Sequence, residues 1–221
     1  MFQYCLFDLD GTLTDSREGI TKSVQYGLKC VGIDEPDLKK LEVFIGPPLL
    51  DSFMGIYGLD EATAKKAIAF YRERFAPIGI YENKVFPGVP KMLTTLQKEG
   101  VHLAVASSKP QPFVHRVLQH FDIEKYFEVI IGSELDGRRG TKEEVVEEAL
   151  LRLGVLDMSE KQRFDCCAMI GDRKFDIQGA KAYGLTGVGV RFGFAPEGEL
   201  EAEGANMIAE TVEELTELLL K

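Results

Sequence analysis

Two carboxylates, Asp8 and Asp10, stand two residues apart at the end of a short apolar run, FQYCLFD, just before Gly11. If the chain bends there, as a glycine permits, both acids converge on one point. Clustered carboxylates repel unless a cation neutralises them or one keeps a proton. A set of oxygen donors suits Mg2+, which retains several waters and binds through few protein carboxylates plus a substrate phosphate. A second pair, Asp172 and Asp176, follows Gly171 at a spacing of four. The two share a face if a helix begins there; the same spacing also suits a simple helix cap. The run VHLAVASS ends on Ser107 and Ser108. Three apolar runs thus end in polar, reactive side chains, at Asp8, Ser107 and Asp172.

These positions become one place only if the runs are neighbouring parallel strands, because ligands bind at the carboxyl ends of such strands. From residue 89 onward the pattern alternates. Helical stretches are expected over 89–99, 110–121, 141–153, 174–183 and 211–220, and strands at VHLAVASS, FEVIIGS, FDCCAMIGD and LTGVGVRFG. Such alternation predicts an α/β fold, a Rossmann-like parallel sheet with helices on both faces. Between the first strand and residue 80 only helical signals occur. Ile20, Val24, Leu28 and Val31 form a stripe, DEPDLKKLEVFIG and PLLDSFMGIYG read as shorter helices around Gly46-Pro47-Pro48, and DEATAKKAIAFYRERFA as a longer one. This block is expected to be an inserted helical cap over 16–81, with the core domain made of 1–15 and 82–221.

Composition narrows the function. The chain of 221 residues carries a net charge of −10, which argues against nucleic-acid backbones as partners. No apolar run reaches the roughly 18 residues of a membrane span. The N-terminus lacks the basic region of a signal peptide, and Cys5, Cys30, Cys166 and Cys167 form no C-x-x-C pair. A cytoplasmic protein with free thiols is the expectation. Cys166 and Cys167, adjacent in an expected strand, should point to opposite faces as small buried side chains. His102, His115 and His120 have no metal-ligand spacing and read as structural or surface residues. An acidic chain that binds an anionic ligand needs local positive charge, which a divalent cation would supply.

DLDGTLTD near the N-terminus, followed by GDRKFD, resembles the haloacid dehalogenase superfamily of phosphohydrolases, and the helical insert resembles the cap of its phosphoglycolate-phosphatase-like branch. The resemblance covers essentially the whole chain. It implies that Asp8 is the nucleophile and Asp10 the general acid and base. Ser107 and Lys142, in VASSK and GTKEEV, would bind the phosphoryl oxygens. Asp8, the backbone carbonyl of Asp10, and Asp172 would hold Mg2+, with Asp176 in support. Lys109 ranks behind Lys142 as the phosphate lysine, because Pro110 follows it and it lies beyond Ser107. Arg138 and Arg139 read as a surface loop that could help attract anions. The stretch Phe44–Leu49 falls where this cap type places its specificity loop, and it also reads as a rigid turn.

The activity implied is magnesium-dependent hydrolysis of a small phosphomonoester through an aspartyl phosphate, phosphoglycolate-phosphatase-like or nucleotidase-like. A phosphomutase would normally need a cation in the specificity loop, and FIGPPLLDSF has none. A dehalogenase has no use for a second acid at Asp10, and a non-catalytic binding protein has no need of this complete set. The expected partner is a small phosphorylated metabolite, without nucleic acid or membrane; oligomeric state is left open, a monomer being preferred.

Overall fold

A computed structural model describes residues 1–221. Along the chain run β1 (Tyr4–Phe7), β2 (Thr14–Asp15), α1 (Arg17–Cys30), α2 (Leu49–Tyr57), α3 (Glu61–Phe75), β3 (Lys84–Val85) and α4 (Val89–Lys98). There follow β4 (His102–Pro110), α5 (Gln111–His120), β5 (Val129–Ser133), α6 (Lys142–Leu153), α7 (Glu160–Cys166) and β6 (Cys167–Gly171). The chain closes with α8 (Lys174–Ala182), β7 (Thr186–Val190), α9 (Glu199–Ala202), β8 (Met207–Ala209) and α10 (Val212–Leu220). Contacts divide it into two compact units, Met1–Thr14 with Val85–Lys221, and Asp15–Lys84.

The first unit is built on a six-stranded sheet of order β5-β4-β1-β6-β7-β8, every pairing parallel. The α/β expectation holds. Both faces of the sheet are covered, which explains why the strands read as unbroken apolar runs. In β1 and its neighbours, Leu6, Ala104, Ala106 and Met169 turn to one face, where they join Val145, Val146, Ala149 and Leu150 of α6 and Ala180 of α8. The alternate residues Cys5, Phe7, Leu103, Val105, Ala168 and Ile170 are also fully buried. The chain runs outward from β1 through β4 to β5, then returns to β6 on the other side of β1. The order therefore reverses at β1, which makes its carboxyl end the place where a crevice forms.

In the second unit α1 packs on α3. The predicted stripe of α1 is buried at Ile20, Val24 and Leu28, facing Ala64, Ala67, Tyr71 and Phe75 of α3. Two sequence expectations fail. Residues 34–46 give a 3-10 turn over Leu38–Phe44 instead of an α-helix, a segment too short and too proline-flanked to propagate. The expected strand over 164–172 begins only at Cys167, because α7 occupies its first residues. The signal was legible: Ser159 caps α7 by accepting from Gln162 N, while the Gln162 side chain returns to Ser159 N, a capping box. The short strand β8 was also missed. No helix is long and apolar enough to cross a membrane.

Candidate active site

Asp8 leaves β1 with its N–H donating to Ile170 O at 2.9 Å, so its backbone is tied to β6. The chain then turns tightly, with the N–H groups of Leu13 and Thr14 both bonding Leu9 O and Gly11 N bonding Thr14 O. Gly11 takes a left-handed φ of 86°, and a Cβ there would lie 2.1 Å from Asp172 Oδ2. Only glycine satisfies both demands. A Cβ on Gly193 would likewise lie 2.3 Å from Asp172 Cβ and 2.4 Å from Gly11 O. The adjacent Phe194 N–H donates to Asp172 Oδ2 at 2.7 Å. The Asp172 carboxylate is thus gripped from two loops, and the 192–194 segment is a positioning element that the sequence reading did not single out.

Asp8, Asp172 and Asp176 offer carboxylate oxygens that all lie within 4.8 Å of one another, each group buried. Asp176 sits in the first turn of α8, where Oδ2 accepts from Arg173 N at 3.0 Å. It caps its helix and faces the cluster at once, so the two readings of this spacing are both realised. Lys142 opens α6, whose Thr141 cap and Glu144 complete a capping box. Its ammonium lies 2.9 Å from Asp8 Oδ1 and 2.8 Å from Asp176 Oδ1, and donates to Ala106 O at 3.0 Å. The approaches to the two carboxylates are ion-pair contacts without the angle of a directed hydrogen bond. Ser107 follows Ala106 and is buried, so β4 brings it to the same sheet edge.

Burial pushes the Asp172 carboxyl well above the usual range, helped by the negative fields of Asp176 and Asp8. Asp176 is pushed up to about 6 by burial, against the opposing pull of Lys142. For Lys142, burial works to lower the pKa, but the fields of Asp176 and Asp8 outweigh it and the net shift is upward. Were all three carboxylates ionised, the single ammonium of Lys142 would leave two negative charges uncompensated, which is why burial favours protonation here. Asp172 Oδ1 is buried with no hydrogen-bond partner at all, a costly state for a carboxylate. An oxygen-only donor set with that charge fits a hard divalent cation, which would relieve both the repulsion and the orphaned oxygen.

Asp10 stands apart from this cluster. Its carboxylate is held by Lys109, whose Nζ lies 3.0 Å from Oδ1 and 2.7 Å from Oδ2. Lys109 is largely buried. The strand expected over VHLAVASS ends at Ser108, before Lys109. Instead β4 continues to Pro110 with a register irregularity after Ala106, and such irregularities re-aim side chains. The remaining candidates pair locally. Arg138 binds Asp136 at 2.9 Å, Arg139 pairs with Glu134, His102 with Glu128 and His115 with Glu124. In the 44–49 stretch, Phe44 and Ile45 are buried, and the Phe44 ring meets Phe53 at 4.9 Å.

Comparison with known proteins bears on the whole chain. The haloacid dehalogenase-like hydrolase family model matches residues 5–190. A 5'-nucleotidase of Pseudomonas aeruginosa is 52% identical over 197 residues, covering 89% of this chain and 86% of that protein. The tyrosine-protein kinase PtkA of Mycobacterium tuberculosis is 37% identical over 219 residues, 98% of this chain and 72% of that one. The crystal structure of a predicted phosphatase from Clostridium acetobutylicum superposes with a TM-score of 0.93 at 46% identity, over 100% of this chain and 99% of that one. The match spans the turn after β1, the end of β4, the start of α6 and the β6–α8 junction, and on it the chain belongs to the haloacid dehalogenase-like hydrolases.

Proposed function

We propose that the chain is a magnesium-dependent phosphatase that hydrolyses a small phosphomonoester through an aspartyl phosphate on Asp8. The observation that carries this reading is the buried cluster in which Lys142 bridges Asp8 and Asp176 while Asp172 Oδ1 has no partner. Asp8, Asp172 and the backbone carbonyl of Asp10 would hold Mg2+, with Asp176 in support. When bound, the cation supplies charge neutralisation on the phosphoryl oxygens, the dominant need of phosphoryl transfer.

An oxygen of Asp8 attacks phosphorus in line. The bond from phosphorus to the ester oxygen breaks, and Asp10 delivers a proton to that departing oxygen. Water then attacks the phosphorus of the aspartyl phosphate, Asp10 takes a proton from it, and the bond to Asp8 breaks to release phosphate. Splitting the reaction makes each displacement easier. Asp10 contributes the ~10²–10⁴-fold typical of a positioned acid and base. Lys142 and Ser107 hold the equatorial oxygens. Lys109 must loosen its grip on Asp10 before that carboxyl can trade protons. Residues 16–81, within the helical unit, are proposed to act as the cap that selects the leaving group, as the resemblance implies.

Among substrates, a nucleoside 5'-monophosphate has the strongest support, from the 52% identical 5'-nucleotidase. Phosphoglycolate follows, from relatives near 30% identity. The kinase among the relatives favours one second reading, transfer of the phosphoryl group from Asp8 to a hydroxyl other than water. The test is phosphate release from nucleoside monophosphates, phosphoglycolate and an aryl phosphate, with magnesium and with chelator, beside intact-mass mapping of the labelled residue. Release with magnesium alone and a label on Asp8 are expected. A label on serine or histidine overturns the mechanism, and labelled protein that passes phosphate only to tyrosine favours the second reading.

A further inference from the structure

Away from the carboxylate cluster, the α7–β6 junction gathers three sulfur atoms. Cys166 ends α7 and Cys167 starts β6. Two residues in one strand would point to opposite faces, but the change from helix to extended backbone between them brings their Sγ atoms to 3.6 Å. Met158 Sδ lies 3.9 Å from Cys166 Sγ. The expectation of two thiols on opposite faces is therefore corrected. The loop carrying Met158 is fixed by Arg163, whose guanidinium donates to Leu156 O at 2.7 Å, to Met158 O, and to Tyr183 O at 2.6 Å. Cys167 is buried, while Cys166 and Met158 are half-buried and give a path from solvent.

We propose that Met158, Cys166 and Cys167 form a binding site for one soft monovalent metal ion, Cu(I). The two distances from Cys166 Sγ, 3.6 Å to Cys167 Sγ and 3.9 Å to Met158 Sδ, lie within a few tenths of an ångström of the about 3.8–4.0 Å that separates ligand atoms about 2.3 Å from one centre in tetrahedral or trigonal sites. The donor set selects the ion. Thiolate and thioether ligands favour Cu(I), whereas zinc sites take cysteine, histidine and carboxylate without thioether. Charge also balances, since two thiolates face one Cu(I) and the Arg163 guanidinium. Burial pushes the Cys167 thiol up to about 12, with Cys166 adding to it and Arg163 opposing. Metal binding must therefore displace protons, which makes affinity rise with pH.

The experiment uses the full chain with Cys30→Ser, which removes the exposed thiol as a competing ligand. Cu(I) is titrated anaerobically in ascorbate against the chelator bicinchoninate, and copper K-edge absorption reads the first shell. One equivalent, held by three sulfur scatterers and no nitrogen or oxygen, is expected. Adding Cys166→Ser should weaken binding by at least the roughly 10–100-fold that loss of even an outer partner costs a metal site. Met158→Leu should reduce the shell to two sulfurs. Unchanged binding in the Cys166→Ser protein, or nitrogen or oxygen in the first shell, overturns the proposal. The absorption measurement needs no variant at the site, so a folding defect in Cys166→Ser does not blunt the test.

Discussion

The two units handle clustered charge in opposite ways. In the sheet unit, Asp8, Asp172 and Asp176 cluster in a buried place where one ammonium, Lys142, reaches Asp8 and Asp176 only. In the helical unit, a cleft of about 420 Å³ is lined by Arg17, Lys22, Lys39 and Lys84 against Asp15, Glu18, Glu42 and Glu82. There the charges cancel. Glu82 is held by Arg74 at 2.8 Å and by Lys22 at 3.3 Å, and Arg74 also bonds Ser23. The sheet unit would carry two excess negative charges with its three carboxylates ionised, and it has an orphaned carboxylate oxygen, features that cluster where something binds. A self-neutral ion cluster holds a fold together; a frustrated one marks a site.

The largest effect should come from the frustrated cluster itself. Asp8→Asn should reduce turnover below about a ten-thousandth of the parent, beyond what loss of acid-base help alone explains, with circular dichroism unchanged. Retention of a hundredth would sink the covalent mechanism. Asp10→Asn should slow turnover by roughly 10²–10⁴-fold and trap phosphorylated protein visible by mass. Absence of any adduct with slow turnover would place the acid elsewhere.

Next in size is cation binding. At a hundred times Kd, magnesium should stabilise the parent by about 2.7 kcal/mol, read as a rise in Tm, and Asp172→Ala should abolish that rise. Equal shifts in both proteins would put the ion at another site. Acidity should separate the two clusters by sign. Asp172 and Asp176 have raised folded pKa values, so their contribution is full below about pH 4 and is lost as pH rises through about 6 and beyond. Chelated protein should therefore lose Tm across that window, and magnesium should reverse the loss. A flat profile in chelator would contradict the charge frustration.

The smallest effect belongs to the satisfied cluster. Arg74 and then burial set the Glu82 carboxyl, whose pKa is lowered overall. Its contribution is present above about pH 4.5 and is lost as pH falls through the folded value. Glu82→Gln should cost about 1 kcal/mol near neutrality, flatten only the acid limb of the Tm profile, and leave kcat unchanged. A change in the magnesium response of this variant would mean that the contrast between the clusters is not real.

Much of the sheet unit was legible because buried parallel strands and amphipathic helices write different periods into the chain. The order of elements from β4 to β7, and the gathering of Asp8, Ser107 and Asp172 at one edge, follow from those periods and from the carboxyl-end rule. Where period gave no guidance, the reading slipped. Leu38–Phe44 has apolar residues at helical intervals but lacks the length to nucleate an α-helix. The Ser159–Gln162 box starts a helix within residues whose apolar content predicts a strand, so β6 begins only at Cys167 and the two thiols meet at the junction.

By itself the sequence determined which residues carry reactive groups and which strand each one follows. Local pattern suffices for that, since alternation, caps and glycines act over a few residues. Only the tertiary structure decided which cation stands beside which carboxylate. Lys142 and Lys109 both read as candidates for one role. The fold sends Lys142 from the first turn of α6 to Asp8 and Asp176, and bends the end of β4 so that Lys109 holds Asp10. The convergence of Gly11 and Gly193 on Asp172 is equally invisible in the chain, because the residues concerned lie far apart in sequence. Charge pairing and close packing are set by distances of a few ångströms between such residues, and those distances exist only once the sheet has closed.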